Sequence, residues 1–152
     1  MILSIDPGTT QSAFVIWNNG LINEKGIVEN SILLHMIESM SVMNVVLIEM
    51  VASYGMPVGA TIFETCVWIG RFMQKTLDRG FEVELIFRKD VKMHHCHTNR
   101  AKDSNIRAAL IDKYGSPGTK KYPTPIYNDG IIKMKKDIWS AFAILAFWIE
   151  TR

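Results

Sequence analysis

The chain opens with Met1-Ile2-Leu3-Ser4-Ile5-Asp6-Pro7-Gly8-Thr9-Thr10. A short apolar run ends in an acid and then in a Pro-Gly turn, which predicts a buried strand punctuated at Pro7-Gly8. Ser12–Trp17 is the second strand of a hairpin closed by that turn. Asp6 therefore stands where the chain reverses. Such an acid can cap the turn by accepting from the amides of Gly8 or Thr9. It can also hold a metal or a phosphate at the sheet edge.

Working outward, Asn18-Asn19-Gly20 is a second hairpin signal, so Leu21–Val28 reads as a third antiparallel strand. From Glu29 to Met40, Ile32, Leu33, Met36, Ile37 and Met40 fall on one helical face. Val45-Val46-Leu47-Ile48 is continuously apolar, as in a central parallel strand buried on both faces, and it ends in Glu49. A strand–helix–strand crossover brings parallel strand ends to one sheet edge, so Asp6 and Glu49 become neighbours. A loop over Val51–Val58 exposes Tyr54 and Met56. Thr61–Leu77 is a long helix whose apolar stripe is wider than one sheet face requires. Either it is deeply buried or it packs partly on a second subunit. Glu82–Phe87 is a further strand, and Lys102-Asp103-Ser104 opens a helix to Tyr114, with Asp103 or Ser104 as N-cap and Gly115 as C-cap. Gly115–Gly130 is a long loop, and Asp137–Glu150 a final apolar helix. The order βββαβαβαα predicts one mixed-sheet α/β domain over residues 1–152.

Composition narrows the function. The apolar content, with seven Phe and four Trp, excludes disorder. No apolar run reaches the ~20 residues of a membrane span. With Met1 already in the first strand, no signal peptide is expected. Two cysteines, Cys66 and Cys96, make no disulfide framework and fit reduced thiols in the cytosol. Net charge is only +2, but the stretch from Arg88 to Lys136 carries twelve Lys and Arg against four Asp. A basic face beside an acidic pocket suits a polyanion such as nucleic acid.

A third acid, Asp137, lies in the first turn of the last helix, where an acid is favoured against the positive helix end by ~0.3–1 kcal/mol. If that helix packs near the ends of the first and fourth strands, Asp137 joins Asp6 and Glu49. Three carboxylates in one pocket repel unless a divalent cation neutralises them. Hard oxygen donors suit Mg2+ or Mn2+, and two such ions fit in-line attack of water on a phosphodiester.

Three segments, Ile5-Asp6-Pro7-Gly8-Thr9-Thr10, Leu47-Ile48-Glu49 and Asp137-Ile138-Trp139-Ser140-Ala141-Phe142-Ala143, in this order and spacing, carry a resemblance. The chain resembles RuvC-type Holliday junction resolvases of the ribonuclease H-like superfamily, most closely their phage-encoded branch, over almost its full length. The resemblance implies a five-stranded mixed sheet flanked by helices. It implies a homodimeric, Mg2+-dependent endonuclease with two ions, nicking four-way or other branched DNA in the phage or bacterial host cytosol. The long helix Thr61–Leu77 would join the dimer interface. Lys92 and Lys102 look like the family's basic residues near the scissile phosphate, with Lys102 catalytic beside Asp6, Glu49 and Asp137. Tyr54 and Met56 lie where the family inserts side chains at the junction centre. Arg88, Arg100, Lys133, Lys135 and Lys136 are the other candidate DNA contacts.

One departure stands out. The family carries an acid or His, an Asp three residues on, then Ala. Aligned on Ala141-Phe142-Ala143, Asp137 takes the first place and Ser140 the second, both on one helix face. Ser140 is then a neutral metal ligand in a carboxylate's place. Alternatively Asp137 takes the second place and Met134 the first. A protein that binds branched DNA with weak or lost cleavage is therefore a second reading. Asp-Pro-Gly-Thr-Thr also looks like the first phosphate loop of actin, Hsp70 and sugar-kinase ATPases, but this chain has no second glycine-rich phosphate loop and is too short for two such domains. His94-His95-Cys96-His97 reads as a solvated or phosphate-facing loop whose adjacent side chains diverge, short of the four ligands a zinc site needs.

Overall fold

The computed structural model describes residues 1–119, 121–122, 124–127 and 134–152. Strand β1 (Ile2–Asp6) pairs antiparallel with β2 (Gln11–Asn18), and β2 with β3 (Leu21–Glu29). The β2–β3 turn places Asn19 and Gly20 at φ 51° and 83°, the left-handed pair that a tight Asn-Gly hairpin needs. Helix α1 (Asn30–Ser39) crosses to β4 (Val45–Met50), which lies parallel to β1. Helix α2 (Ala60–Asp78) leads to β5 (Glu82–Phe87), parallel to β4. The sheet order is β3-β2-β1-β4-β5. The expected strands and hairpins are all present, with ends displaced by a residue or two.

After β5 the chain departs from expectation. Arg88–Cys96 forms helix α3, closed by His97 in the left-handed conformation, where a loop was expected around the histidines. Only Val91 of this helix is buried, so no apolar period announced it. Helix α4 (Asp103–Tyr114) is capped by Lys102, not by Asp103 or Ser104; the Lys102 amide donates to Asn105 Oδ1 at 2.9 Å. A short 3-10 turn (Pro125–Tyr127) precedes helix α5 (Lys136–Glu150).

Period-two alternation along each strand divides the core between the two sheet faces. Leu3, Ile5, Phe14, Ile16, Val46 and Ile48 face α1 and α2, meeting Leu33, Ile37, Ile69 and Phe72. Ala13, Val15, Val45, Leu47 and Ile86 face the other way, against α5 and the helices beside it. Helix α5 buries Ile138, Trp139 and every residue from Ala141 to Ala146. Val46, Leu47 and Ile48 of β4 are wholly buried, each contributing about 1.5–3 kcal/mol of transfer free energy. Ser4 points toward α5, and its hydroxyl donates to the Ala141 carbonyl at 2.7 Å. That bond satisfies a polar group in the core and sets α5 over β1.

Helix α2 buries Thr65, Ile69, Phe72 and Thr76, one stripe at helical spacing. Phe63, Val67 and Leu77 of the same helix are exposed. The wide apolar stripe thus covers the sheet with one half and leaves the other half bare.

The Pro7–Thr10 turn is held from α1. The Gly8 amide donates to Ser12 Oγ at 3.2 Å, Ser12 donates to Asn30 Oδ1 at 2.6 Å, and Asn30 Nδ2 donates to the Gly8 carbonyl at 2.9 Å. Ser12 thus takes the capping role that Asp6 was a candidate for. A Cβ at Gly8 would lie 2.3 Å from the Gln11 carbonyl oxygen, a backbone atom that cannot yield cheaply. Gly8→Ala is expected to destabilise the fold by about 2 kcal/mol or more in urea titration; an unchanged midpoint would show that the turn can relax.

Candidate metal and nucleic-acid site

The sheet register and its alternation together build the site. Ile5 pairs with Ile48 and Glu49 with Ile86, so β1, β4 and β5 end in line. Asp6 shares the parity of Ser4, and Glu49 that of Leu47; both acids face the α5 side. The next residue after β5 is Arg88, the first of α3. From three adjacent strand ends come an acid, an acid and a base.

Helix α5 completes the group. Asp137 is exposed in its first turn, and Ser140, one turn on, is half-buried. The Asp6 carboxyl is pushed up to about 8, by burial first and then by the Glu49 carboxylate. Asp137 adds to the rise, while Arg88 and a hydrogen bond from the Ser140 hydroxyl oppose it. Glu49 is also raised by burial, although Arg88 Nη1 donates to its Oε2 at 2.9 Å. The other arm of Arg88 donates to Asp103 Oδ1 at the start of α4. Burial works against the Arg88 charge, but Glu49, Asp103 and Asp6 together hold its pKa above the ordinary arginine value. Met134, the alternative to Asp137 as the family's first position, is 8% exposed and lies in the core, so it offers nothing to this pocket.

Three clefts meet at these groups. One of about 530 Å³ is walled by Asp6, Asp137 and the Pro7–Gln11 turn. A second, about 470 Å³, runs between α4 and α5 and is lined by Arg88, Lys102, Arg107, Lys136, Trp139 and Ser140. A third, about 520 Å³, holds Glu49, Arg88 and Lys92 with Tyr54 and Met56 on its rim. Tyr54 and Met56 are 59% and 69% exposed, and Lys89 Nζ lies 5.8 Å from the Tyr54 ring centre. Lys92 is close enough to favour the charged form of Glu49.

The structure thus brings together Asp6, Glu49, Asp137, Ser140, Arg88 and Lys92, with Lys102 and Lys136 across the second cleft. Arg100, in the α3–α4 connection, and Lys135, the N-cap of α5, are exposed and line none of the three clefts. Lys133 lies outside the described residues. Asp103 and Arg107 were missed as site residues; Asp103 was read only as a helix cap. Arg88 was read from the basic run that it opens, as a candidate DNA contact; its bond to Glu49 was not foreseen.

Asp6, Glu49, Asp137 and Ser140 offer the oxygen donors that a hard divalent cation takes, although the three carboxylates do not gather to within 4.8 Å of one another; burial first, and then the Glu49 and Asp137 charges, raise the Asp6 carboxyl. No helix among the described residues is long and apolar enough to cross a membrane.

The architecture is the ribonuclease H-like fold of the RuvC kind. The Thermus thermophilus RuvC structure matches 99% of this chain and 95% of its own, with a TM-score of 0.65 at 14% identity. T. thermophilus RuvC in complex with a Holliday junction substrate matches 99% and 94%, with a TM-score of 0.67 at 13% identity. No protein-family model matches the chain, and no curated protein matches it in sequence.

Two stability measurements follow from the charges. Folded Asp6 keeps its proton to about pH 8, whereas an unfolded Asp loses it near 4. The folded state therefore binds the extra proton, and metal-free stability falls as pH rises through that window. Asp6→Asn is expected to flatten this slope and to raise the melting temperature at pH 8 in chelator by about 5 °C or more; an unaltered slope would contradict the burial of charge at Asp6. Arg88→Ala strands Glu49, and is expected to cost about 2 kcal/mol at pH 7. That loss should shrink below about pH 4, where Glu49 is neutral in both states.

Proposed function

We propose that the chain is a single-domain, divalent-metal-dependent endonuclease that nicks Holliday junctions and other branched DNA by water attack on a phosphodiester. The observation that carries this reading is the Asp6 carboxyl, which feels Glu49 and Asp137 and accepts from Ser140, in a cleft beside two others whose walls carry Arg88, Lys92, Lys102 and Lys136. The RuvC-like fold and the resemblance to the phage-encoded resolvases support the substrate class, as does the neighbour described in complex with a Holliday junction. The same resemblance favours action in the cytosol of a phage-infected or bacterial cell.

Asp6, Glu49, Asp137 and Ser140 would hold Mg2+ or Mn2+, as one or two ions. When bound, such ions lower the pKa of an attacking water and stabilise the leaving oxygen. The chain's own groups do the rest. Asp6 and Glu49, fixed at strand ends, define where the scissile phosphate must lie. Lys92 and Lys102 approach it from opposite clefts and offset its charge. Arg88 gives up its bond to Glu49 and turns its planar fork to a phosphate, for which two parallel donors suit it. Tyr54 and Met56, on a loop beside Glu49, present an aromatic and a thioether surface for unstacked bases. Arg100, Lys133, Lys135 and Lys136 would contact flanking backbone. The bare face of α2, with Phe63 and Val67, suits a second copy of the chain, so that two sites act on paired strands.

A binding protein with weak or lost cleavage is the second reading, favoured by Ser140 alone. A labelled four-way junction, incubated with each metal, separates the two. The expected result is paired nicking by the wild type, with Asp6→Asn, Glu49→Gln and Asp137→Asn each slowed by about 100-fold or more while still binding the junction. Ser140→Asp should raise Mn2+ affinity or rate. Junction binding with no nicking under any metal or pH would establish the second reading.

A further inference from the structure

The geometry points to a second metal site, of a different chemical class, built from His94, His95 and Glu150. One ligand atom from each of the three lies within 4.8 Å of the others. Two imidazoles and one carboxylate form a nitrogen-rich set, which favours Zn2+ and similar borderline ions over Mg2+. This set shares no residue with the oxygen-rich set at Asp6.

The surroundings are those of a supported site. His94 Nε2 and Glu150 Oε2 are 2.6 Å apart, a hydrogen bond whose proton a bound cation would replace. His95 Nε2 lies 3.0 Å from the Ala143 carbonyl, a bond that fixes the ring and its tautomer. Tyr114 donates to Glu150 Oε1, the carboxylate oxygen opposite the one that meets His94. Lys113 Nζ also reaches Oε2, at 2.8 Å, but that side chain is 55% exposed and is free to withdraw into solvent when a cation arrives. Glu150 is pulled down to about 2, because hydrogen bonds from Lys113, Tyr114 and His94 outweigh its burial.

The position gives the site a purpose. Helices α3, α4 and α5 each start at the carboxylate pocket, with Arg88, Lys102–Asp103 and Asp137. Each ends at this cluster, with His94–His95, Lys113–Tyr114 and Glu150. A cation here would tie together the far ends of the three helices that carry Arg88, Lys102, Asp103 and Asp137. It also lies at helix C-termini, where positive charge is favoured. The motif read from the sequence as a loop is a helix, and its two adjacent rings converge on one carboxylate.

The test uses the full chain stripped by chelator and then titrated with Zn2+ and Co2+, Mg2+ being present throughout. The expected result is one tight Zn2+ per chain, a rise in melting temperature of about 5 °C at saturating metal, and Co2+ ligand-field bands without a thiolate charge-transfer band. His94→Ala and His95→Ala should each weaken binding by 10-fold or more. Their metal-free melting temperatures and junction binding would show that they are folded. The double variant Asp6→Asn, Glu49→Gln should keep the Zn2+ site while losing DNA nicking, so this inference and the proposed nuclease activity can fail separately. Absence of the Co2+ bands, their survival in both His variants, or their loss in the Asp6, Glu49 variant would overturn the proposal.

Discussion

Two carboxylates at neighbouring parallel strand ends cannot share a half-buried pocket without opposing charge. Much of the functional half of the molecule is arranged around that constraint. Asp6 and Glu49 are forced together by the β1–β4 register and turned to one face by strand alternation. Arg88 answers Glu49, and the Ser140 hydroxyl answers Asp6, but Asp6 still holds its proton to about pH 8. Ionising Asp6 beside Glu49 adds the charge that a divalent ion would offset. A fold that carries such stored repulsion gives up stability at that place.

The cost is carried by a rigid frame. Strand β4 is buried on both faces, α5 is packed along most of its length, and the Ser4–Ala141 bond seats that helix across the first strand. The Ser12–Asn30–Gly8 network holds the opening turn from outside, which leaves the Asp6 carboxyl to the pocket. Both acids therefore sit on strands that cannot drift. The groups expected to meet DNA behave differently: Tyr54, Met56, Lys102 and Lys136 are exposed, on loops or helix starts. Acids fixed on strands with exposed groups on adaptable segments beside them is a common arrangement around a site.

The layer of α3, α4 and α5 adds a second organising feature. Its three helices run from the carboxylate pocket to the His94–His95–Glu150 cluster, so their near ends and far ends are each gathered by charge. Asp103 and Arg88 bind α4 to α3 at one end. Glu150 binds all three at the other, through Tyr114, Lys113 and His94. With few buried apolar groups on α3, polar ties supply much of what holds that helix in place.

The sequence by itself determined the sheet. Val45–Ile48 and Ile2–Ile5 could only be buried strands, Asn19-Gly20 could only turn tightly, and the crossover rule placed Asp6 beside Glu49. Local pattern and chirality suffice there, because every step involves neighbours in sequence or one short connection. Helix α3 was not legible, since Arg88–Cys96 has a single buried residue and its helix is held by contacts with α4 and α5. The role of Arg88 was not legible either, nor that of Asp103, because their partners lie 39 and 15 residues away. Only the tertiary structure decided that Ser140 meets Asp6, that Ser12 caps the turn Asp6 had been a candidate for, and that two adjacent histidines converge on Glu150. Those pairings depend on how helices pack across a sheet, and no periodicity along the chain records them.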